Sequence, residues 1–288
     1  MKALKKFLII VNSIKGEEAF CVCERIKHSI ENNGGSWHKI SGFVSTNDIP
    51  ADIDCGIVLG GDGTLLHAAR DLMSIDIPLV GVNFGHLGFL ADVEVDAVEQ
   101  MVDRLMNGDY LVEDRMMLEA TVLREGKEFF LASALNDIVI GRSGVMTVID
   151  FELFVNGIRL NSYKADGMIA ATPTGSTAYS MSAGGPLVKP SAKLIVMTPV
   201  CPHTLNTRSI VLDKDDIIEI EICPSKQMST SDVTGYVYFD GNMATPLFVG
   251  DVIKIHKSEN STKVIKLDSR SFLEVLRRKL NNNEDRQA

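Results

Sequence analysis

The sequence predicts an α/β, doubly wound N-terminal domain, then a mainly antiparallel β domain, with a last helix that returns to the first. Three features predict it. Apolar runs of strand length alternate with helical periodicity up to about residue 106, and alternating strands with hairpin turns take over after about residue 112. The final apolar stretch has helical spacing but is too short to fold alone. The expected division is residues 1–112 with 268–288, carrying a Gly-Gly-Asp-Gly turn, and residues 113–267.

In chain order, Phe7 to Val11 reads as a first strand. Ala19, Phe20, Val22, Cys23, Ile26 and Ile30 then recur at helical spacing until Gly34-Gly35 stops the helix. Trp37 to Val44, Ile57 to Leu59 and Leu79 to Val82 read as further strands, with helices over Thr64 to Met73 and Val95 to Met106. Such alternation builds a parallel sheet whose ligands bind beyond the carboxyl ends of its strands. In the second half, Glu119 to Leu123 and Glu128 to Leu131 flank a turn at Arg124-Glu125-Gly126-Lys127. Phe151 to Val155 alternates into Asn156-Gly157, a strong two-residue hairpin signal. Ile217 to Ile222, Val233 to Phe239, Val252 to His256 and Lys263 to Leu267 continue as strands. Ser271 with Glu274 gives the last helix a capping box, with Phe272, Leu273, Leu276 and Leu280 on one face and a polar tail from Asn281 to Ala288.

The composition, 45% hydrophobic and 23% charged over 288 residues, is that of an ordinary globular protein. The apolar run after Lys5-Lys6 is shorter than the roughly 7–15 residues of a secretion signal, and no stretch approaches the roughly 20 residues of a membrane span. Cytoplasm is therefore the expected location. Cys21, Cys23, Cys55, Cys201 and Cys223 are odd in number and scattered, which fits free thiols rather than a disulfide framework or a zinc site. A net charge of −9 argues against a nucleic-acid partner and means that a phosphorylated ligand must be held by local donors.

The most informative stretch is Leu59-Gly60-Gly61-Asp62-Gly63-Thr64-Leu65-Leu66, between a strand and a helix. Gly60, Gly61 and Gly63 have no Cβ, so positive φ and close approach of a phosphate are open to them. Their N–H groups and those of a helix beginning near Thr64 would form an anion-binding concavity. A carboxylate there repels phosphate unless it holds Mg²⁺ or accepts a proton from an attacking hydroxyl. The other reading of the turn alone is an ordinary strand-to-helix connection whose aspartate caps the helix. Neither a Walker turn nor a dinucleotide glycine fingerprint is present.

Two more loops accompany it. Asn83-Phe84-Gly85-His86-Leu87-Gly88-Phe89-Leu90 follows the strand ending at Val82, and Asp166 runs through a short strand into Thr172-Pro173-Thr174-Gly175-Ser176-Thr177-Ala178-Tyr179-Ser180. Thr174, Ser176, Thr177 and Ser182 offer uncharged hydrogen bonds and Tyr179 an aromatic face, although Thr174 or Ser176 equally reads as a helix cap.

With Asn136-Asp137, Gly184-Gly185-Pro186, Thr198-Pro199, Pro202-His203-Thr204-Leu205 and Asp240-Gly241, these loops make the chain resemble the NAD kinase family over most of its length. Gly-Gly-Asp-Gly alone is shared with diacylglycerol, sphingosine and phosphofructokinase-like enzymes; the long Thr-Pro-Thr-Gly-Ser-Thr-Ala-Tyr-Ser run is far more specific. The resemblance implies transfer of a phosphoryl group from ATP or polyphosphate, with Mg²⁺ or another divalent cation carried on the nucleotide, to the 2′-hydroxyl of the adenosine ribose of NAD. It implies Asp62 as base or positioning group, and Gly60, Gly61, Gly63 and Thr64 against phosphate. It further implies an NAD pocket of Asp62, Gly63, Leu66, Asn83, Phe84, Asn136, Asp137, Lys164, Asp166, Thr174, Thr177, Ala178, Tyr179, Ser182 and Asp240. Asp137 would meet the ribose hydroxyls and Lys164 the phosphate, where many relatives have arginine. A homodimer or homotetramer is implied as well. The alternatives are a lipid kinase of the same superfamily and a dinucleotide sensor without turnover. His86 and His203 receive no role.

Overall fold

The computed structural model describes residues 1–11, 16–42, 49–84, 88–91, 93–143, 148–204, 207–225, 232–267 and 272–281. It divides into two units, Met1–Arg115 with Thr262–Ala288, and Met116–Ser261.

The first unit is α/β. Its elements are β1 (Lys6–Val11), α1 (Gly16–Asn32), β2 (Ser36–Ser41), β3 (Cys55–Leu59), α2 (Asp62–Asp71), β4 (Leu79–Asn83), β5 (Val93–Glu94) and α3 (Val98–Met106). The strands run parallel in the order β2-β1-β3-β4-β5, with Phe7 beside both Trp37 and Cys55. Every residue of β3 and β4 is buried, as expected of parallel strands covered on both faces. Ala19, Val22, Ile26 and Ile30 of α1 and Met101, Val102 and Leu105 of α3 pack with Phe7, Ile9, Ile57 and Val80 in one core. Helix α2 begins two residues earlier than the sequence suggested, and α3 is preceded by a 3₁₀ turn, Val95–Ala97.

The last helix, α5 (Phe272–Asn281), belongs to this unit, its Phe272 ring 6.1 Å from that of Phe89. Its inward face differs from expectation: Leu273 is 69% exposed, whereas Phe272, Val275, Leu276 and Lys279 are half-buried. Ser271 and the Leu280 side chain lie outside the described residues, as do Val44, His86 and the tail after Asn281.

The second unit is a β sandwich. It receives β6 (Leu111–Arg124) and continues through β7 (Lys127–Ala134), β8 (Asp137–Arg142), β9 (Ile149–Val155), β10 (Ile158–Ala165), β11 (Gly167–Ala171) and α4 (Tyr179–Ser182). After these come β12 (Leu194–Val200), β13 (Ile210–Asp213), β14 (Ile218–Ile222), β15 (Gly235–Phe239), β16 (Met243–Leu247) and β17 (Val252–Lys266). One antiparallel sheet has the order β13-β12-β11-β8-β15-β16. The other runs β10-β9-β14-β17, with β6 on β17 and β7 on β6. Alternate residues of β9, β14 and β15 point inward, so that Ile138, Met168 and Phe239 meet Phe151, Ile220 and Ile253 in a shared core. Both expected hairpins form with left-handed turn residues, φ +52° and +73° at Glu125-Gly126 and +51° and +76° at Asn156-Gly157. The segments expected as separate strands at Val252–His256 and Lys263–Leu267 are one strand, β17. Its polar middle hides the fact: Ser258 and Thr262 are buried within it.

Candidate functional site

In the first unit the Gly-Gly-Asp-Gly turn joins β3 to α2, and Gly60 N–H donates to the Val82 carbonyl of β4 at 3.0 Å. None of Gly60, Gly61 and Gly63 takes positive φ, against the expectation from sequence; Gly61, the residue before the helix, has φ −83°. Their bareness has other causes. A Cβ on Gly60 would lie 2.3 Å from Thr64 Oγ1, so the half-buried Thr64 side chain claims that space. At Gly61 and Gly63 a Cβ would meet nothing within 4 Å. Leu66 is half-buried one turn on, Asn83 is buried at the end of β4, and Phe84 packs on the core of this unit.

Asp62 stands in the first turn of α2 but does not cap it, which removes the capping reading. Its carboxylate reaches instead to the loop after β4. Oδ2 accepts the Phe89 N–H at 2.9 Å, and Oδ1 accepts those of Leu90 at 3.2 Å and Ala91 at 2.9 Å. A carboxylate has about four acceptor positions. Among the described residues three are filled, and one, on Oδ2, is left open. Gly88 makes the cradle possible, because a Cβ there would lie 1.9 Å from Asp62 Oδ1. Gly88→Ala is therefore expected to push the carboxylate off its amides. Steady-state kinetics with circular dichroism as the folding control should show kcat falling about 10²-fold, the order attached to a 1 Å misplacement at a reacting centre.

In the second unit three segments meet at one edge of the six-stranded sheet. Pairing sets Ala171 of β11 opposite Asp137 of β8, and Phe239 of β15 opposite Ile138. The residues just outside these ends are Asn136, the 172–178 turn and Asp240. The Asp240 carboxylate accepts the N–H groups of Leu135 at 2.9 Å, Asn136 at 2.7 Å and Asp137 at 3.2 Å. Asp240 itself has φ +50°, a left-handed conformation that aspartate tolerates better than most residues. Asp137 is 5% exposed, and burial, with the Asp240 charge adding to it, pushes its carboxyl up to about 7.

The 172–178 turn is built from its own hydroxyls. Thr172 Oγ1 donates to the Leu135 carbonyl, and Gly175 fits against Asn136, whose carbonyl oxygen a Cβ would approach to 2.0 Å. Ser176 is committed to Pro173 and Val188, and Thr177 donates to the Thr174 carbonyl. Thr174 precedes the short 3₁₀ turn Gly175–Thr177 without a capping bond. Thr174 Oγ1 and Asn136 Oδ1 are the two buried polar atoms of this edge that lack a hydrogen-bond partner among the described residues. Buried polar atoms are normally paired, so these two make this end of the sheet a candidate place for a ligand. Ala178 is half-buried, and Tyr179 and Ser182 are exposed, so Tyr179 is no core residue.

Asp166 sits before β11 and pairs with Arg142 at 3.1 Å. Lys164 pairs with Asp150 at 3.3 Å and is largely exposed, while the Lys164 carbonyl accepts the His203 N–H at 2.8 Å. Sequence reasoning missed Arg142 and the Phe89–Ala91 amides. Only the spacing of Gly85 and Gly88 hinted at the second.

The model of the ATP-NAD kinase N-terminal domain matches residues 7–110, and that of the ATP-NAD kinase C-terminal domain matches residues 135–267. The chain belongs to the NAD kinase family. It is 42% identical to the NAD kinase of Lachnoclostridium phytofermentans over 284 residues, covering 96% of this chain and 99% of the relative. It is 44% identical to that of Agathobacter rectalis over 287 residues, covering 97% and 99%. Among solved structures, yeast NADH kinase complexed with NADH shares the NAD kinase fold at TM-score 0.85 and 24% identity, covering 98% of this chain and 88% of that one. The Archaeoglobus fulgidus NAD kinase in complex with ATP does so at 0.74 and 24%, covering 93% and 98%.

Proposed function

We propose that this chain transfers the γ-phosphoryl group of ATP to the 2′-hydroxyl of the adenosine ribose of NAD, giving NADP. The observation that carries the proposal is the geometry of Asp62: a fixed carboxylate at a helix N-terminus, with three acceptor positions filled by the described residues and a fourth open to a hydroxyl. Asp62 is the base and positioning group. It accepts the proton of the 2′-hydroxyl as the oxygen bonds to phosphorus and the bond to the ADP leaving group breaks. Phosphoryl transfer asks a protein mainly for positioning and charge neutralisation, so the absence of a side-chain nucleophile from the reading is no obstacle.

The N–H groups of Gly61 and Gly63 face phosphate, and the open space at both supports that role, whereas those of Gly60 and Thr64 are already given to the Val82 and Gly61 carbonyls. Leu66, Asn83 and Phe84 line the same side. In the second unit Asn136 and Thr174 meet the adenosine with their two unpartnered atoms, Asp137 meets the ribose hydroxyls, and Tyr179 offers its ring. Thr177, Ala178, Ser182 and Asp166 complete the pocket. Lys164 serves a phosphate only by leaving Asp150, and Asp240 acts through the amides it holds.

Among the described residues no three carboxylate, imidazole or thiol groups converge as a cation cage. The single open acceptor of Asp62 fits a hydroxyl or one metal-bound water, so the donor set suits Mg²⁺ carried on the nucleotide, which when bound neutralises phosphate charge. Polyphosphate is the alternative donor. A homodimer or homotetramer and a cytoplasmic location complete the proposal. The five unbridged cysteines suit a reducing compartment, and no helix of the described residues is long and apolar enough to cross a membrane.

Purified protein with NAD, ATP and Mg²⁺ is expected to yield NADP, read with an NADP-specific dehydrogenase. NAD binding without NADP from either ATP or polyphosphate would replace the kinase with a sensor.

A further inference from the structure

The half-buried side of α5 carries Phe272, Val275, Leu276 and Lys279, positions i, i+3, i+4 and i+7 of one stripe, while Leu273, Glu274, Arg277 and Arg278 face outward. Lys279 thus stands where another apolar residue would complete the packing. Its ammonium lies 4.2 Å from the centroid of the Phe89 ring, the ring that Phe272 also meets. Burial lowers the Lys279 pKa, and the charge opposing that shift is Asp62. Simple docking of a helix would be better served by leucine, since an ammonium loses hydration and a long stem loses rotamers on burial.

The same Phe89 donates its N–H to Asp62, and Lys266 Nζ approaches the Phe89 and Leu90 carbonyls, each at 3.5 Å. The Gly88–Ala91 loop is therefore gripped at every kind of group it has: amides by Asp62, carbonyls by Lys266, and the ring by Lys279 and Phe272.

We propose that Lys279 is a positioning residue for phosphoryl transfer: seated on the Phe89 ring beside Asp62, it fixes the amide cradle so that the remaining lone pair of the carboxylate stays on the acceptor hydroxyl. This rests on the reading of Asp62 as the base. The last helix of the chain becomes part of the catalytic apparatus through one side chain, and the ammonium balances the carboxylate charge where phosphate must also come.

The test uses the full chain as Lys279→Met, Lys279→Arg, Phe89→Leu and Asp62→Asn. Methionine keeps the aliphatic stem and its packing on α5 but removes the charge. Lys279→Met is expected to lower kcat about 10–100-fold, by misplacement of the reacting group, with KM for NAD and the unfolding midpoint unchanged, and Lys279→Arg to restore most of the rate. Phe89→Leu, which keeps the amide and removes the ring face, should reproduce the loss, and adding Lys279→Met to it should cost little more. Wild-type kcat in Lys279→Met overturns the proposal. So does a loss that only follows a lower unfolding midpoint, a change in KM for NAD in place of kcat, or full activity in Phe89→Leu. If Asp62→Asn is impaired while Lys279→Met is not, this inference alone fails. If Asp62→Asn keeps wild-type turnover, the assignment of the base fails and takes this inference with it.

Discussion

Asp62→Asn is expected to lower kcat about 10²–10⁴-fold, the usual size of a positioned proton acceptor in such reactions. The amide loses more than basicity. Its oxygen can keep the Leu90 and Ala91 N–H groups, but its NH₂ then turns a donor toward the Phe89 N–H, where Oδ2 accepts in the wild type. Leaving that one donor unpaired costs about 1–3 kcal/mol, so the unfolding midpoint should fall as well. NAD affinity should largely hold, because apart from the Asp62 contact with the 2′-hydroxyl the atoms proposed to meet adenosine belong to Met116–Ser261. Rapid-quench turnover beside equilibrium NAD binding separates the two effects. Turnover equal to wild type would remove Asp62 from the chemistry.

Asp137→Asn should stabilise the protein above neutral pH. Burial and the neighbouring Asp240 raise the Asp137 carboxyl from 3.8 in the unfolded chain to about 7 in the folded one. The folded state therefore binds this proton more tightly. The stability it confers is complete below about pH 4 and is lost as pH rises through about 7, a change of order 4 kcal/mol over that window. The neutral amide is spared this loss, so unfolding free energies of the two proteins should diverge between about pH 4 and about pH 7, with the variant ahead at the higher value. Parallel curves would mean that Asp137 is ionised throughout. Such a cost is tolerable at a binding residue. Ribose hydroxyls donating to the carboxylate favour its charged form, so NAD binding should release a proton near neutrality and tighten as pH rises through about 7. That dependence should vanish in Asp137→Asn.

Periodicity made the α/β unit readable: β3 and β4 are unbroken apolar runs, and α1 keeps its buried stripe at Ala19, Val22, Ile26 and Ile30. The hairpin at Asn156-Gly157 was equally plain, since its backbone demands residues that accept positive φ. What stayed hidden depends on partners far along the chain. The Lys257 to Thr262 stretch looks like a polar loop yet is the middle of β17, because pairing overrides local propensity. Asp62 reads as a cap by its place in α2, and only the fold brings it the amides of residues 27 to 29 positions later. The identity of the candidate residues was legible through the family motifs. Their commitments, such as Asp240 to three amides and Lys164 to Asp150, were not.

The two units are also unequal in how the chain supplies them. The sandwich is one uninterrupted stretch, Met116–Ser261, whereas the α/β unit is assembled from Met1–Arg115 and from residues after Thr262. During synthesis the ordinary rule that the N-terminal domain matures first is reversed. The sandwich has all its strands while the α/β unit still lacks the end of β17 and α5, and with them Lys266 and Lys279. The loop that cradles Asp62 gains its Lys266 and Lys279 contacts only after every strand of the sandwich has been made, so the proposed base is secured later than the domain that follows it in the chain.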